Sequence, residues 1–367
     1  MHSAIPNPHF RRKLLIATCL LAGLAGSTTA SAAVSFAPTA NVQYDWVGFD
    51  NDQRNFQDDD AFRRERLGFR IKDDADRWQF VAEHDFADKT PADVFLEITP
   101  AKGHSLRVGQ FKQPFLLEDA VSDKSSPLLE QSLVGIFAIS RRTGVEYGFS
   151  NKRGTLNAAV FGKRIDGTSE SLGFTARGTW NLPAAEGDHA HVGLSLATEA
   201  PDTERASFSA TPGTTLTTLR LASTGSIAGV EHLDRAGAEA LWMHGAWSLQ
   251  GEVATVRTRG GGPDFSADAQ SMLVTWSPSG DGRSVKRGVP GAPSTKDGAA
   301  WELALRWSAI DLDDEVAGGK VSTLALGATC YLNKYVRITG NVLRFQSRRR
   351  GVEDDPAVAS IRLQLTY

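Results

Sequence analysis

The last eight residues, SIRLQLTY from Ser360 to Tyr367, alternate without a break: Ile361, Leu363, Leu365 and Tyr367 fall on one face, and Ser360, Arg362, Gln364 and Thr366 on the other. A period of two is the signature of a strand with unlike faces. A soluble sheet with one wet face would give the same pattern, so one strand alone does not decide between water and lipid. Its recurrence with aromatic ends does. Trp301, Leu303, Leu305 and Trp307 alternate with Glu302, Ala304 and Arg306, which places aromatics at both ends of an apolar face, as in the interfacial girdles of membrane barrels. Leu172, Phe174, Ala176 and Trp180 repeat the pattern. In Phe62–Lys72, Leu67, Phe69 and Ile71 oppose Arg64, Arg66, Arg70 and Lys72.

Composition excludes several classes. The 367 residues carry 40 Lys+Arg against 43 Asp+Glu, a net −3, which argues against nucleic-acid binding through bulk positive charge. With 23% charged residues and no apolar run of about 18, a helical membrane bundle is excluded. Two cysteines rule out a disulfide scaffold. Arg11, Arg12 and Lys13, the apolar run Leu14–Gly26 and the small residues Ala30, Ser31 and Ala32 read as a secretory signal over residues 1–32, cleaved near Ala32. Its removal takes away three basic and no acidic side chains, which leaves 37 against 43, a net −6. The expected domain is then residues 33–367, with Cys330 as a small hydrophobe.

Connection lengths support a barrel, because bacterial barrels alternate short periplasmic turns with longer outer loops. Asp73–Asp76, Pro100–Gly103, Asn151–Gly154, Gly245–Ala246 and Asn333–Lys334 are short. Asp50–Asp60, Gln113–Ser140, Ala200–Leu233, Asp311–Lys320 and Arg348–Pro356 are long. Seventeen segments qualify as strands, and an even number is expected. Assigning Leu216–Ala222 to a loop leaves 16 and restores the alternation. Gly280–Gly298 is anomalous, being long where a short turn is due. The fold class is therefore all-β: a transmembrane antiparallel β-barrel of 16 strands. Charge facing lipid costs about 2 to 4 kcal/mol at the midplane, so parity sends charge to the lumen: Arg64, Arg66, Arg70, Arg77, Arg142, Arg177, Arg306, Arg337 and Arg362, interleaved with Gln79, Glu83, Asp85 and Glu146. Gln113–Ser140 carries Leu116, Leu117, Leu128, Leu129, Leu133, Val134, Ile136 and Phe137, too many apolar groups for a solvated loop. It is expected to fold into the barrel; a subunit interface is the alternative.

RERLGFRIKDDADRWQFVAEHDF (64–86), LRVGQFKQPFLLED (106–119), SSPLLEQSL (125–133) and RRTGVEYGF (141–149) resemble the phosphate-selective porin O and P family. Later segments, among them GAAWELALRWSAIDL (298–312), follow in the same order. The resemblance implies a trimeric outer-membrane barrel of a Gram-negative bacterium whose third outer loop folds inward. It further implies arginines and a lysine at the constriction that bind inorganic phosphate or other small anions. Carried onto matching positions, this points to Arg64, Arg66 and Lys112, with Arg141, Arg142 and Lys124 as neighbours. Strongly phosphate-selective members carry a row of arginines along the fifth outer loop; the matching run Thr214–Leu233 here holds only Arg220. Lys112 differs in parity from Arg107, so its inward aim requires a bulge, expected at Gly109.

The expected activity is passive diffusion of small anions, with no cofactor, no metal and no catalysis, next to outer-membrane lipid and lipopolysaccharide. Alternatives are a general porin of low selectivity, or a barrel with an enzymatic or structural role. His84 shares parity with Phe80 and Phe86 and points away from Asp85, so the pair makes no catalytic unit. HExxH, paired CxxC, GxxxxGK[ST] and GxSxG are all lacking. The acidic group Asp50, Asp52 and Asp58–Asp60 does not match a calcium loop and reads as solvated.

Overall fold

The computed structural model describes residues 34–280, 282–295, 298–314 and 317–367; the expected signal segment lies outside them. Sixteen long strands follow in chain order: β1 (Val34–Asp50), β2 (Asp59–Asp73), β3 (Trp78–Asp85), β4 (Thr90–Ile98), β5 (His104–Lys112), β6 (Arg141–Asn151), β7 (Gly154–Phe161), β8 (Ser171–Asn181), β9 (His189–Pro201), β10 (Val230–His244), β11 (Trp247–Gly260), β12 (Ser266–Trp276), β13 (Ala300–Asp313), β14 (Ala317–Tyr331), β15 (Val336–Arg349) and β16 (Ala357–Thr366). Each pairs antiparallel with its chain neighbours, and β1 pairs with β16 from Asn41↔Thr366 to Asp50↔Ala357, which closes the barrel. One short strand, Val352–Asp354, adds to the edge of β15 outside the ring.

The exposure pattern is inverted relative to a soluble protein. On β13, Trp301 and Trp307 are 49% and 43% exposed, whereas Glu302 and Arg306 are 0% and 4%. Apolar side chains face out and polar ones in, which only a surrounding hydrocarbon makes favourable. Trp180, Trp242, Trp247, Trp276 and Trp301 all lie next to the short-turn end and form one girdle there. Six residues separate Trp301 from Trp307, about 20 Å of strand, close to the height of the apolar band.

The interior charges neutralise one another. Arg177 Nε and Nη2 donate to Glu239 at 2.8 and 2.5 Å, and His191 Nε2 lies 3.0 Å from the same carboxylate. Arg362 grips Asp45 at 2.6 and 2.7 Å. Arg107 meets Glu97 at 2.5 Å, and Arg235 meets Glu199 at 2.6 Å. Arg77, expected inside, instead sits largely exposed in the turn before β3, bound to Asp73 at 2.8 Å. Its position at the turn, outside any strand, voids the parity argument.

Two longer connections carry buried apolar groups. Residues 113–140 contain a short helix, α1 (Leu117–Ala120), and a 3-10 turn (Leu133–Phe137). Within 202–229 the run Leu216–Ala222 contributes no barrel strand, and two-residue bridges pair Ser209–Ala210 with Ala222–Ser223 and Arg205–Ala206 with Ile227–Ala228. The rings of Phe137 and Phe208 meet edge to face at 5.6 Å, and Phe208 stacks on Phe265 at 5.9 Å. Gly280–Gly298 contains a hairpin, Arg283–Lys286 with Val289–Pro293, that reaches three strands. Arg283 pairs with Glu302 at 2.8 Å, Arg177 donates to Gly288 O at 3.1 Å, and Arg287 stands 3.5 Å from Glu97.

Glu239 tests this interior. Glu239→Ala strands Arg177, whose side chain is 2% exposed, without its carboxylate. Loss of one partner of a buried pair costs about 3 to 5 kcal/mol. The variant should lose its compact, heat-modifiable form in gel electrophoresis at a clearly lower urea concentration than the parent, with its circular dichroism still dominated by β-structure.

Candidate functional site

The site is built from β2, β5, β6 and the 113–140 segment. On β2 the register with β1 slips between Gln43 and Tyr44: Gln43 faces Arg64 and Tyr44 faces Phe62, so Arg63 is the extra residue of a bulge. Consecutive arginines, which alternation would send to opposite faces, therefore both reach the segment. Arg63 Nε donates to Glu130 at 2.9 Å, and Arg64 Nε stands 3.2 Å from Asp123 Oδ2. Arg66, two residues on, reaches Asp85 at 3.3 Å and the same Asp123 oxygen at 3.6 Å.

Lys112 ends β5 directly opposite Arg141, the first residue of β6. The register of β5 with both neighbours runs without interruption, so the bulge expected at Gly109 is not there. Gly109 instead takes φ +129, where an added Cβ would lie 2.2 Å from Val94 O, so only glycine fits. The exposed alternation of Leu106 and Val108 gives way after it to buried Gln110 and Phe111. The Lys112 ammonium donates to Asp119 O at 2.7 Å and lies 3.6 Å from Asp119 Oδ1. Arg141 forms a paired contact with Asp93 at 2.9 and 2.8 Å.

The segment is fastened to distant strands. The carboxylate of Glu252 on β11 accepts the backbone N–H groups of Leu117 and Glu118 at 2.6 and 3.0 Å, which occupies donors that the start of α1 leaves unpaired. Arg306 on β13 pairs with Glu118 at 3.2 Å. Arg337 on β15 donates to Asp123 O and Ser126 O at 2.5 and 2.8 Å, and Arg362 on β16 reaches Leu129 O at 2.7 Å. Arg63, Arg64, Lys112, Arg141, Arg164, Arg283 and Arg306 share a cavity of about 310 Å³ with Glu118, Asp119, Asp123 and Glu130.

Four of the seven expected residues, Arg64, Arg66, Lys112 and Arg141, thus converge on Asp123. Lys124 is half-buried beside Arg66, Arg70 and Glu83, without an ion pair to any described residue; burial, reinforced by the two arginines, lowers its pKa. Arg142 stands apart, with Glu199 at 3.6 Å and Ile139 O at 3.1 Å. Arg220 also stands apart, turned back onto Thr217 O and Leu219 O at 3.3 and 3.4 Å. Arg63, Arg164 and Arg283 went unread in the sequence. A bulge hid Arg63, and the other two lie in connections, where parity assigns no face. The acids of an otherwise apolar segment were the signal available for Asp119, Asp123 and Glu130.

Burial works to raise the Asp123 carboxyl, but Arg64, Lys112, Arg66 and Arg141 outweigh it and hold it far below the usual range. Burial opposes Arg63 and Arg362 at Glu130 in the same way, and the cations hold that carboxyl at about 2. A depressed folded-state value means stabilisation that is fully present above the unfolded value, about 4, and lost as pH falls through the folded one. The segment should stay fastened from pH 8 to 5 and loosen only below about pH 4. Single-channel recordings over that range would check it, with a flat conductance expected down to pH 5; a transition near pH 6 would point to histidine instead.

Residues 36–367 match the family described as phosphate-selective porin O and P. No curated protein matches by sequence. Among solved structures, the barrel is similar to in-vitro folded OmpT of Vibrio cholerae in its trimer form, with a TM-score of 0.61 at 8% identity over 91% of this chain and 100% of that one. It is also similar to the anion-selective porin from Comamonas acidovorans, with a TM-score of 0.58 at 12% identity over 91% and 100% of the two chains. The outer-membrane channel DcaP of Acinetobacter baumannii gives a TM-score of 0.55 at 11% identity over 93% and 100%. The closed 16-strand barrel and the match over nearly all of its length agree: this outer-membrane porin belongs to the phosphate-selective porin O and P family.

Proposed function

We propose that the barrel passes small oxyanions, inorganic phosphate or phosphorylated solutes, through a constriction formed by residues 113–140 with Arg64, Arg66, Lys112 and Arg141. The observation that carries this reading is the cavity beside the segment, lined by seven cationic side chains against four carboxylates. Guanidinium groups offer paired donors to phosphate oxygens, while the Lys112 ammonium acts as a point charge. Conduction needs binding weak enough to release, so several partly neutralised cations serve better than one deep trap. Lys124 and Arg70, which have no ion pair to a described residue, extend the positive surface beyond the cavity.

The family and the trimer form of OmpT support a trimer here, inserted in the outer membrane after cleavage near Ala32, with lipid and lipopolysaccharide around its apolar band. A second reading, a general porin of low selectivity, is favoured by one feature of the same cavity. Asp93, Glu302 and Asp166 pair with Arg141, Arg283 and Arg164 from outside the lining, and with them the charges balance.

Planar-bilayer conductance separates the two. Under a potassium chloride gradient the reversal potential should report anion preference, and added phosphate should reduce the chloride current. Arg66→Ala and Lys112→Ala should each weaken that block by about 1 to 3 kcal/mol, the range for a charged hydrogen bond. No block in the parent protein would leave the low-selectivity reading. Deleting Ser122–Leu129 should enlarge the single-channel conductance; an unchanged conductance in a folded barrel would remove the segment from the constriction.

A further inference from the structure

Asp123 faces four cations of the wall, Arg64, Lys112, Arg66 and Arg141. Its Oδ2 stands 3.2 Å from Arg64 Nε and 3.6 Å from Arg66 Nη1 as ion pairs, and Lys112 and Arg141 complete the positive surround. Arg64 and Arg66 each leave a buried Nε without a hydrogen bond, so one carboxylate does not use all the donors turned toward it. Two arginines with spare donors, within a group of four cations around one carboxylate, is the arrangement expected of a site for a larger oxyanion.

The backbone that delivers Asp123 is held independently of its side chain. Ser125 N and Ser126 N donate to Ser122 O at 2.8 and 3.1 Å and close the turn. Arg337 grips Asp123 O and Ser126 O at 2.5 and 2.8 Å, and Arg283 donates to Ser125 O from the hairpin on the far side. The turn is clamped through carbonyl oxygens, so a neutral side chain at position 123 leaves the clamp in place.

We propose that Asp123 is the channel's built-in counter-anion: its carboxylate fills the cationic cluster that a permeant oxyanion would use and thereby sets how tightly such anions are held. This rests on the anion-channel reading above and assigns its selectivity to one residue. An incoming phosphate must displace, or share donors with, a carboxylate tethered to the wall, so it is bound weakly and released quickly. The depressed pKa of the group keeps it charged at every pH the outer membrane meets, so the effect is constant and does not act as a pH switch.

The experiment uses the full chain in planar bilayers at pH 7, with inorganic phosphate as the probe against a chloride current. Asp123→Asn keeps size and shape, and Asp123→Ala serves as a second variant should the first fold poorly; heat-modifiable migration establishes folding for both. The half-blocking phosphate concentration should fall about tenfold, the equivalent of one charged hydrogen bond regained, and the reversal potential should move toward anions. Asp74→Asn, an exposed change of the same charge in the β2–β3 turn, should leave the block unaltered. Block that is unchanged or weaker in both Asp123 variants, while phosphate still blocks the parent, overturns the proposal, as does an equal gain in Asp74→Asn. If phosphate blocks neither the parent nor the variants, the anion-channel reading itself fails.

Discussion

Closure of the sheet is the constraint on which everything else in this molecule depends. In hydrocarbon an unpaired backbone group costs several kcal/mol, and a strand can span the bilayer only if both its edges are paired. The junction of β1 with β16 supplies the last pairing, from Asn41↔Thr366 to Asp50↔Ala357. Once the ring closes, every strand has a lipid face and a lumen face, and the period of two in the sequence becomes a physical sorting of apolar from charged side chains.

That sorting concentrates charge in a confined volume, and the interior is organised around the consequence. Arg177 with Glu239, Arg362 with Asp45 and Arg283 with Glu302 are pairs buried on both sides, in which removal of one member leaves a buried charge short of its counter-charge. Several link strands remote in sequence, such as Arg362 on β16 with Asp45 on β1. The acidic surplus of the chain, a net −3, therefore says little about the lumen, where local pairing decides the field that a solute meets.

The segment between β5 and β6 uses the same currency. It carries its own carboxylates, Glu118, Asp119, Asp123 and Glu130, to arginines and a lysine of the wall, while wall groups such as Glu252, Arg337 and Arg362 hold its backbone. Its apolar residues pack with Phe208 and Leu221 of the 202–229 connection and with Phe265 near the start of β12. The hairpin in 282–295 joins from another connection through Arg283, which pairs with Glu302 and also donates to Ser125 O. Three connections and the wall thus share one network of charge and packing.

Periodicity, with the alternation of short and long connections, determined the class of fold and the strand count once Leu216–Ala222 was assigned to a loop, and periodicity gave the inward aim of Arg64, Arg66, Arg306, Arg337 and Arg362, because side-chain direction in a strand is a local property of the backbone. It determined His84 and Asp85 as pointing apart as well. What it could not determine was anything that depends on a break in the period or on a partner far away in sequence. The bulge that brings Arg63 beside Arg64 is such a break, and so is the φ of Gly109, which stands where a register-resetting bulge was expected. Parity aims Arg142 at the lumen and gives Arg141 no such place, yet Arg141 joins the cluster around Asp123 while Arg142 goes to Glu199. Only the tertiary structure decided which cations keep a carboxylate and which stay free, since in a closed barrel the counter-charge comes from whichever strand or connection the ring brings opposite, and sequence distance carries no information about that.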